Sequence, residues 1–482
     1  MKKMALHWKI IIGMLLGVIW AVLSIYISGE NIVDMNQFTK EWISPFGDIF
    51  LKLLMLVAVP LVLFSIITGI SSLKDVNKLG KMGFKTVFLY LLTTMFSVLV
   101  GLVFVNFFEP GKELPLSNKD QQEVFQEIRL ENRISYELWL IDKEGEFKDT
   151  LRYSNLPQNK KIVDDIYEKS ENLSEFVQKK INEMKGHEST GPLARLIDMV
   201  PKNIFVSLQD PRLMLQVIFF SIFFGVCILF VPKDKSSQLV SFFESVNSVF
   251  LKMTEFIMRA APFFVFALMA GVLAEMADSV SKLFEILKTL GFYSLIVFCG
   301  LFFMILFYPL LVSLFAKDIK YTHFWKNISK AQLMAFSTSS SAATLPVTMD
   351  CVENKVGVKS EIASFVLPIG ATVNMDGTSL YQAMAVIFLA QFHMIDLSIV
   401  DQIVIVLTAT LASIGSAAVP SAGLIMLMMV LSSIGLNPAW IAIILPMDRI
   451  LDMCRTVVNV TGDASVATII ASTDKSFNEV NR

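Results

Sequence analysis

The chain has 482 residues, 54% of them hydrophobic and 17% charged, with a formal net charge of −2 and a mean hydropathy of +0.61. Those values exclude a soluble domain and a nucleic-acid binder, and they predict a protein with many membrane spans. Four cysteines (Cys227, Cys299, Cys351, Cys454) lie in or beside apolar runs without Cys-x-x-Cys or Cys/His spacing, which supports neither zinc nor a disulfide framework.

The first apolar run, Ile10 to Ile27, follows Lys2, Lys3 and Lys9 and lacks a small-residue cleavage site, so it predicts a retained helix over about 8–28. Helix 2 is expected at about 45–71 and helix 3 at about 84–108, ending at Glu109-Pro110-Gly111. Between them lie Lys74, Lys78, Lys81 and Lys85, which by the positive-inside rule put the N-terminus and this loop in the cytoplasm. Residues 112–190 are polar and carry both signs of charge. Alternation over Glu137–Tyr153 suggests a β-hairpin. The spacing of Ile162, Ile166, Leu173, Val177, Ile181 and Met184 suggests an amphipathic helix in a small outer domain. Hydrophobicity resumes at about 193–208 and 212–231, then in long spans at about 240–275 and 282–315. Lysines 233 and 235, then 317, 320, 326 and 330, mark cytoplasmic loops.

The final third is different. Residues 334–350 run through Ser339-Ser340-Ser341 to Thr344-Leu345-Pro346-Val347-Thr348, too polar and too short for a simple span. Residues 402–436 are apolar but interrupted by small residues at 413–423. Each predicts two half-helices meeting at a small-residue tip, and paired interrupted segments point to a transporter binding site. Between them, Asn374-Met375-Asp376-Gly377-Thr378 breaks a span of about 360–392. Unwound carbonyls beside a carboxylate suit a hard cation; a kink with a hydrogen-bonded Asp is the alternative.

The last apolar run holds Asp448, Asp452, Arg455, Thr456, Asn459 and Asp463, which at 100° per residue share an arc of roughly 100°. Each charge at the bilayer centre costs about 3 kcal/mol on insertion scales, so this face is expected to line an ion or substrate path rather than serve only as an ion pair between helices. None of the four histidines lies in the polar cluster, which argues against an intramembrane hydrolase and against an enzyme generally.

Together these stretches resemble the dicarboxylate/amino acid:cation symporters, the family of the glutamate transporters, over nearly the whole chain except residues 112–190. Tyr90, Thr93 and Thr94 of helix 3 add to the likeness. The resemblance implies an all-α polytopic membrane protein with eight transmembrane helices, two re-entrant hairpins and an elevator fold. Its parts would be scaffold helices 1–2 (1–83), helix 3 of a transport domain (84–111), an extracytoplasmic insert (112–192), scaffold helices 4–5 (193–281), and the rest of the transport domain (282–482). It also implies a homotrimer in the plasma (inner) membrane with both termini cytoplasmic, importing aspartate or glutamate with sodium and needing no organic cofactor.

By the family pattern Arg455 would take the substrate's side-chain carboxylate and Asp452 its ammonium. Ser340, Ser341, Thr378, Val419, Gly423, Thr456 and Asn459 would complete the pocket. Sodium would bind at Gly370, Asn374, Asn459 and Asp463; at Thr372, Met375, Ser413, Ile414 and Ser416; and at Tyr90, Thr93, Thr94, Asn374 and Asp376. An Arg fork fits a carboxylate, and an Asp one turn away suits an ammonium, which favours an acidic amino acid over a plain dicarboxylate. A proton-coupled acidic amino acid or dicarboxylate symporter, and an ion channel, remain the alternatives. Three departures stand out. Ser339 and Met453 occupy positions where relatives carry an arginine, with Arg449 one turn before Met453. Ala418 and Ser421 stand where relatives often have glycine. The outer insert has no recognised counterpart.

Overall fold

The computed structural model describes residues 6–29, 35–71, 76–112, 125, 126, 129, 133, 200–209, 213–277, 279–316, 319–414 and 422–473. The expected β-hairpin over 137–153 and amphipathic helix over 162–184 lie outside these residues, as do Ser416 and Val419; for Ser413 and Ile414 only the backbone is described.

Thirteen principal helices follow one another: α1 (Leu6–Gly29), α2 (Ser44–Ser71), α3 (Val76–Phe108), α4 (Met214–Phe230), α5 (Lys233–Met276), α6 (Val280–Phe315), α7 (Tyr321–Thr338), α8 (Ser341–Asp350), α9 (Ser360–Val373), α10 (Asp376–Phe392), α11 (Ile399–Ile414), α12 (Ala422–Ser433) and α13 (Ile441–Thr473). No strand occurs among the described residues. Five helices (α1, α2, α3, α5 and α6) are long and apolar enough to cross a membrane. Helix α13, at 33 residues, is also long enough, but it carries Asp448, Arg449, Asp452, Arg455 and Asp463. Helices α4, α11 and α12 are shorter apolar pieces.

The helices pack in two groups. α5 lies along both α1 and α2, and α4 lies along α2. In the other group α3 lies along α10, while α13 is flanked by α6, α7, α9 and α10. Contacts between the groups are sparser, chiefly α1 and α5 against α13 and α2 against α12. Lipid tails are as apolar as leucine, so such groups depend on close packing and interhelical polar bonds. In the first group Ser65 Oγ donates to Asn247 Oδ1 at 2.8 Å, tying α2 to α5, and Phe64 stacks on Phe250 with centroids 5.6 Å apart. The outward faces keep large apolar side chains such as Phe84, Phe107, Phe302 and Leu314 exposed, as a lipid-facing surface requires.

Both expected interruptions have a physical form here. Ser339 ends α7 in the left-handed region (φ 51°), and Ser340 caps α8 by accepting from the Ala343 N–H at 3.2 Å. α7 and α8 are thus joined by only two residues and pack on one another. α11 and α12 also pack together, with their connection outside the described residues.

The start of the outer stretch is not a separate body. Gly111 N–H donates to Gln391 Oε1 at 3.2 Å, and Arg129 donates to the carbonyls of Gln391 (2.8 Å) and Lys112 (3.1 Å). Phe125 is fully buried near Phe392, with centroids 6.1 Å apart. Phe125, Arg129 and Arg133 are all buried and spaced four apart, the interval that puts residues on one helix face. This seals the C-terminal end of α10, whose last carbonyls have no partner within the helix.

Candidate functional site

The site forms where α9 breaks before α10 and both meet α13. Asn374 and Met375 leave helical geometry, and α10 restarts at Asp376. The break ends the hydrogen-bond ladder of α9, and the negative charge of Asp376 suits the N-terminus of α10. Gly377 permits the close crossing of α10 over α13: a Cβ there would stand 2.5 Å from the carbonyl oxygen of Arg455 and 2.9 Å from its Cα. The Gly377 N–H donates to Asn459 Oδ1 at 2.8 Å. Asn459 Nδ2 in turn reaches Met375 Sδ (3.2 Å) and Thr378 Oγ1 (3.4 Å).

One end of α13 holds a cluster of ion pairs. Arg455 is fully buried, the largest such side chain among the described residues. Its Nη2 donates to Asp448 Oδ1 at 2.9 Å and to Asp452 Oδ1 at 2.8 Å, and its guanidinium lies 4.0 Å from the centroid of the Tyr381 ring. Arg449 Nη1 meets the other oxygen of Asp452 at 3.3 Å. Arg455 Nε and Nη1 are buried with no hydrogen-bond partner. Desolvated donors without acceptors are costly, about 1–3 kcal/mol each, so an acceptor entering there would be favoured. A Cβ built on Gly423 would lie 3.3 Å from Nη1 and 3.0 Å from the Thr378 methyl, so α12 closes over this edge with its smallest residue.

The other end of α13 holds carboxylates with neutral partners only. Asp463 Oδ1 accepts from Asn374 Nδ2 at 2.9 Å. Asp376 accepts from the hydroxyls of Thr94 on α3 and Tyr308 on α6, and its backbone carbonyl accepts from Ser97 at 2.9 Å. Thr93 lies 3.4 Å from Asn374 Oδ1, and the Tyr90 hydroxyl donates to the Val366 carbonyl at 3.1 Å. All of these residues are buried. No Lys or Arg pairs with Asp376 or Asp463 among the described residues. A hydroxyl or amide oxygen that can turn a lone pair inward is the kind of ligand a hard monovalent cation uses.

Of the residues expected at a substrate pocket, Thr378, Gly423, Asp452, Arg455 and Asn459 come together. Thr456 is buried with its hydroxyl on the Asp452 carbonyl (2.8 Å). Ser340 and Ser341 are buried at the α7–α8 turn, and α8 packs on α13. Of the residues expected at cation sites, Tyr90, Thr93, Thr94, Gly370, Asn374, Asp376, Asn459 and Asp463 form one connected centre. Thr372 is exposed, and its hydroxyl donates to the Ile369 carbonyl at 3.0 Å; Met375 is buried beside Asn459. The structure adds Asp448, Arg449, Tyr381, Ser97 and Tyr308. Asp448 lies on the polar face already visible in the sequence, and Arg449 stood out there only for its place one turn before Met453. Tyr381 and Ser97 are single polar residues in helices otherwise read for other features. Tyr308 had no signal, because α6 reads as a uniformly apolar span.

The profile of the Sodium:dicarboxylate symporter family matches residues 6–134 and 167–473, nearly the whole chain. The chain belongs to the sodium:dicarboxylate symporter family. The Proton/sodium-glutamate symport protein of Bacillus caldotenax is 31% identical over 480 residues, covering 99% of this chain and 97% of the relative. Excitatory amino acid transporter 3 of Mus musculus is 33% identical over 476 residues (97% and 86%), and the Proton/glutamate-aspartate symporter of Escherichia coli (strain K12) is 30% identical over 483 residues (98% and 94%). The symporter profile runs through Phe125, Arg129 and Arg133 and resumes at 167. The stretch foreign to it is therefore 135–166, narrower than the 112–192 expected from the sequence. This fits the packing, since those three residues are built into the helical body.

Proposed function

We propose that this chain is a secondary active transporter that imports acidic amino acids, aspartate and glutamate, by symport with sodium. The observation that carries the reading is the half-satisfied guanidinium of Arg455. It is wholly buried, held at Nη2 by Asp448 and Asp452 and unpaired at Nη1 and Nε. A substrate side-chain carboxylate would accept a charge-assisted hydrogen bond from Nη1, the tip beside Gly423. Its ammonium would take Asp452, while Asp448 stays on Arg455 and keeps that charge compensated. Thr378, Asn459, Thr456, Gly423, Val419, Ser340 and Ser341 would complete the pocket. The names of the relatives, glutamate and glutamate-aspartate symporters, agree with this substrate class.

Sodium would travel at the three sites named from the family pattern, two of which converge on the Asp376–Asn374–Asp463 centre. Those relatives' names include both protons and sodium. We favour sodium because Gln382, one turn after Thr378 in α10, is an amide that donates to the Gly423 carbonyl (3.4 Å) and has no proton to release.

The two helix groups support an elevator reading. Helices α1, α2, α4 and α5 would be the fixed scaffold of a homotrimer, with α3 and α6–α13 as the moving part. Eight spans and two re-entrant hairpins, α7–α8 and α11–α12, would sit in the inner membrane with both termini cytoplasmic. Uptake of labelled aspartate into proteoliposomes, with sodium and proton gradients imposed separately, tests the proposal. Accumulation should follow the sodium gradient; accumulation driven by a proton gradient in sodium-free buffer would replace sodium with protons in the reading.

A further inference from the structure

Tyr308 stands at the cation centre yet comes from α6, an element with no part in the binding residues named so far. It is fully buried, next to Pro309, which interrupts the hydrogen-bond ladder of α6. Its hydroxyl donates to Asp376 Oδ2, while Oδ1 is held by the Thr94 hydroxyl. The ring fits because position 462 is glycine: a Cβ there would stand 3.1 Å from the Tyr308 hydroxyl and 2.9 Å from Asn374 Nδ2. Both oxygens of Asp376 are therefore met by O–H donors, as a buried carboxylate requires.

We infer that the Tyr308 hydroxyl is a placeholder for the cation at Asp376, a positioning residue that sets how tightly the site takes sodium. A proton aimed at a carboxylate oxygen and a metal ion approaching that oxygen compete for the same negative potential. The Thr94 hydroxyl rotates about a single bond and can turn its lone pair to the ion. A phenol hydroxyl prefers the plane of its ring, and the ring lies close against Gly462, so the Tyr308 proton stays aimed at Oδ2 and weakens the negative potential the ion would meet there. The bond stabilises the empty site relative to the loaded one, and it links α6 to the charge state of Asp376. The inference rests on the sodium symport reading above.

The test is sodium titration of aspartate binding to the purified full-length protein. Tyr308→Phe keeps the ring and removes the competing donor. It should move the sodium midpoint to about tenfold lower concentration, equivalent to about 1.4 kcal/mol, while aspartate affinity at saturating sodium stays within twofold. Replacing Tyr308 with 3,5-difluorotyrosine, a stronger donor of nearly the same shape, should move the midpoint the other way, and it serves if Tyr308→Phe does not fold. A midpoint that is unmoved, or raised, in Tyr308→Phe overturns the placeholder role, as does a lowered midpoint with difluorotyrosine. The wild-type titration is read separately. If its aspartate binding ignores sodium, the symport reading itself has failed; if it depends on sodium and the variants match it, only the role of Tyr308 has failed.

Discussion

The two ends of α13 solve the problem of buried charge in opposite ways. Around Asp452 the protein supplies its own counterions: Asp448 and Asp452 face Arg449 and Arg455, so the four charges cancel. Around Asp463 and Asp376 it supplies only hydroxyls and an amide, and two negative charges stay uncompensated by any basic side chain among the described residues. Isolated buried carboxylates cost several kcal/mol each after relaxation. The contrast teaches where each partner belongs. A neutral cluster with spare donors suits a zwitterionic substrate carrying an extra carboxylate, whereas a bare acidic centre calls for cations. The charges at the Asp452 end balance within the protein, and those at the other end do not.

The strongest way to break this comparison is to remove the fully buried cation of the neutral cluster, whose Nε and Nη1 have no partner. Arg455→Ala should weaken aspartate binding by thirtyfold or more, because truncating one partner of a desolvated charge pair costs about 2–5 kcal/mol. Sodium binding at the far end should remain measurable by calorimetry. Retained aspartate affinity would take Arg455 out of the pocket.

On the proposed sodium reading the acidic end would make transport electrical. Three sodium ions with one net-negative amino acid would leave two positive charges moving inward, each worth about 2.3 kcal/mol per 100 mV. At about 1.4 kcal/mol per decade, that supports about a thousandfold substrate gradient. Proteoliposomes clamped with potassium and valinomycin report this directly, and accumulation that ignores an inside-negative potential would rule out the stoichiometry. Asp376→Asn sharpens the same point. It should lower the slope of log aspartate affinity against log sodium concentration by about one, with the aspartate-to-glutamate selectivity unchanged. A selectivity change at full sodium slope would place Asp376 with the substrate instead. Protons should be spectators, given the amide at Gln382: a weakly buffered lumen should not acidify in step with aspartate uptake. The smallest effect is expected from deleting residues 135–166, the stretch outside the family match. Uptake should stay within twofold, whereas Arg129→Ala, which unseals the end of α10, should lower the melting temperature. A deletion that abolishes uptake would give the insert a part in the cycle.

Much of this contrast was legible before any coordinates. The polar face of α13 stands out because hydroxyls, amides and charges at helical spacing are rare in an apolar run. The break at Asn374–Asp376 stands out because a carboxylate beside glycine has no reason to interrupt a simple span. Ser339–Ser341 likewise marks the α7–α8 turn. What stayed hidden depends on tertiary proximity. Tyr308 is one tyrosine among the phenylalanines and leucines of α6, and nothing local tells that its hydroxyl reaches a carboxylate 68 residues later. The burial of part of the outer stretch is hidden for a related reason. Phe125, Arg129 and Arg133 sit in a polar stretch, and only their burial against α10 shows that they belong to the body. Arg449 was visible, but its pairing with Asp452 rather than with substrate required the geometry.

The charged face of α13 also bears on how the protein is made. With five ionisable side chains, at about 3 kcal/mol for each that is charged on insertion scales, this helix is a poor candidate to enter the bilayer as an independent segment. The groups that meet its polar face, Asn374 at the α9–α10 break and Gly377, Thr378 and Tyr381 on α10, all precede it in the chain. They can already be in the membrane when it leaves the ribosome. Biogenesis would then be ordered: the earlier helices partition on their own hydrophobicity, and α13 is threaded into a prepared polar seam instead of lipid. A nascent chain that stalls before Asp376 would lack that seam, which makes α10 the element on which membrane integration of the final helix depends.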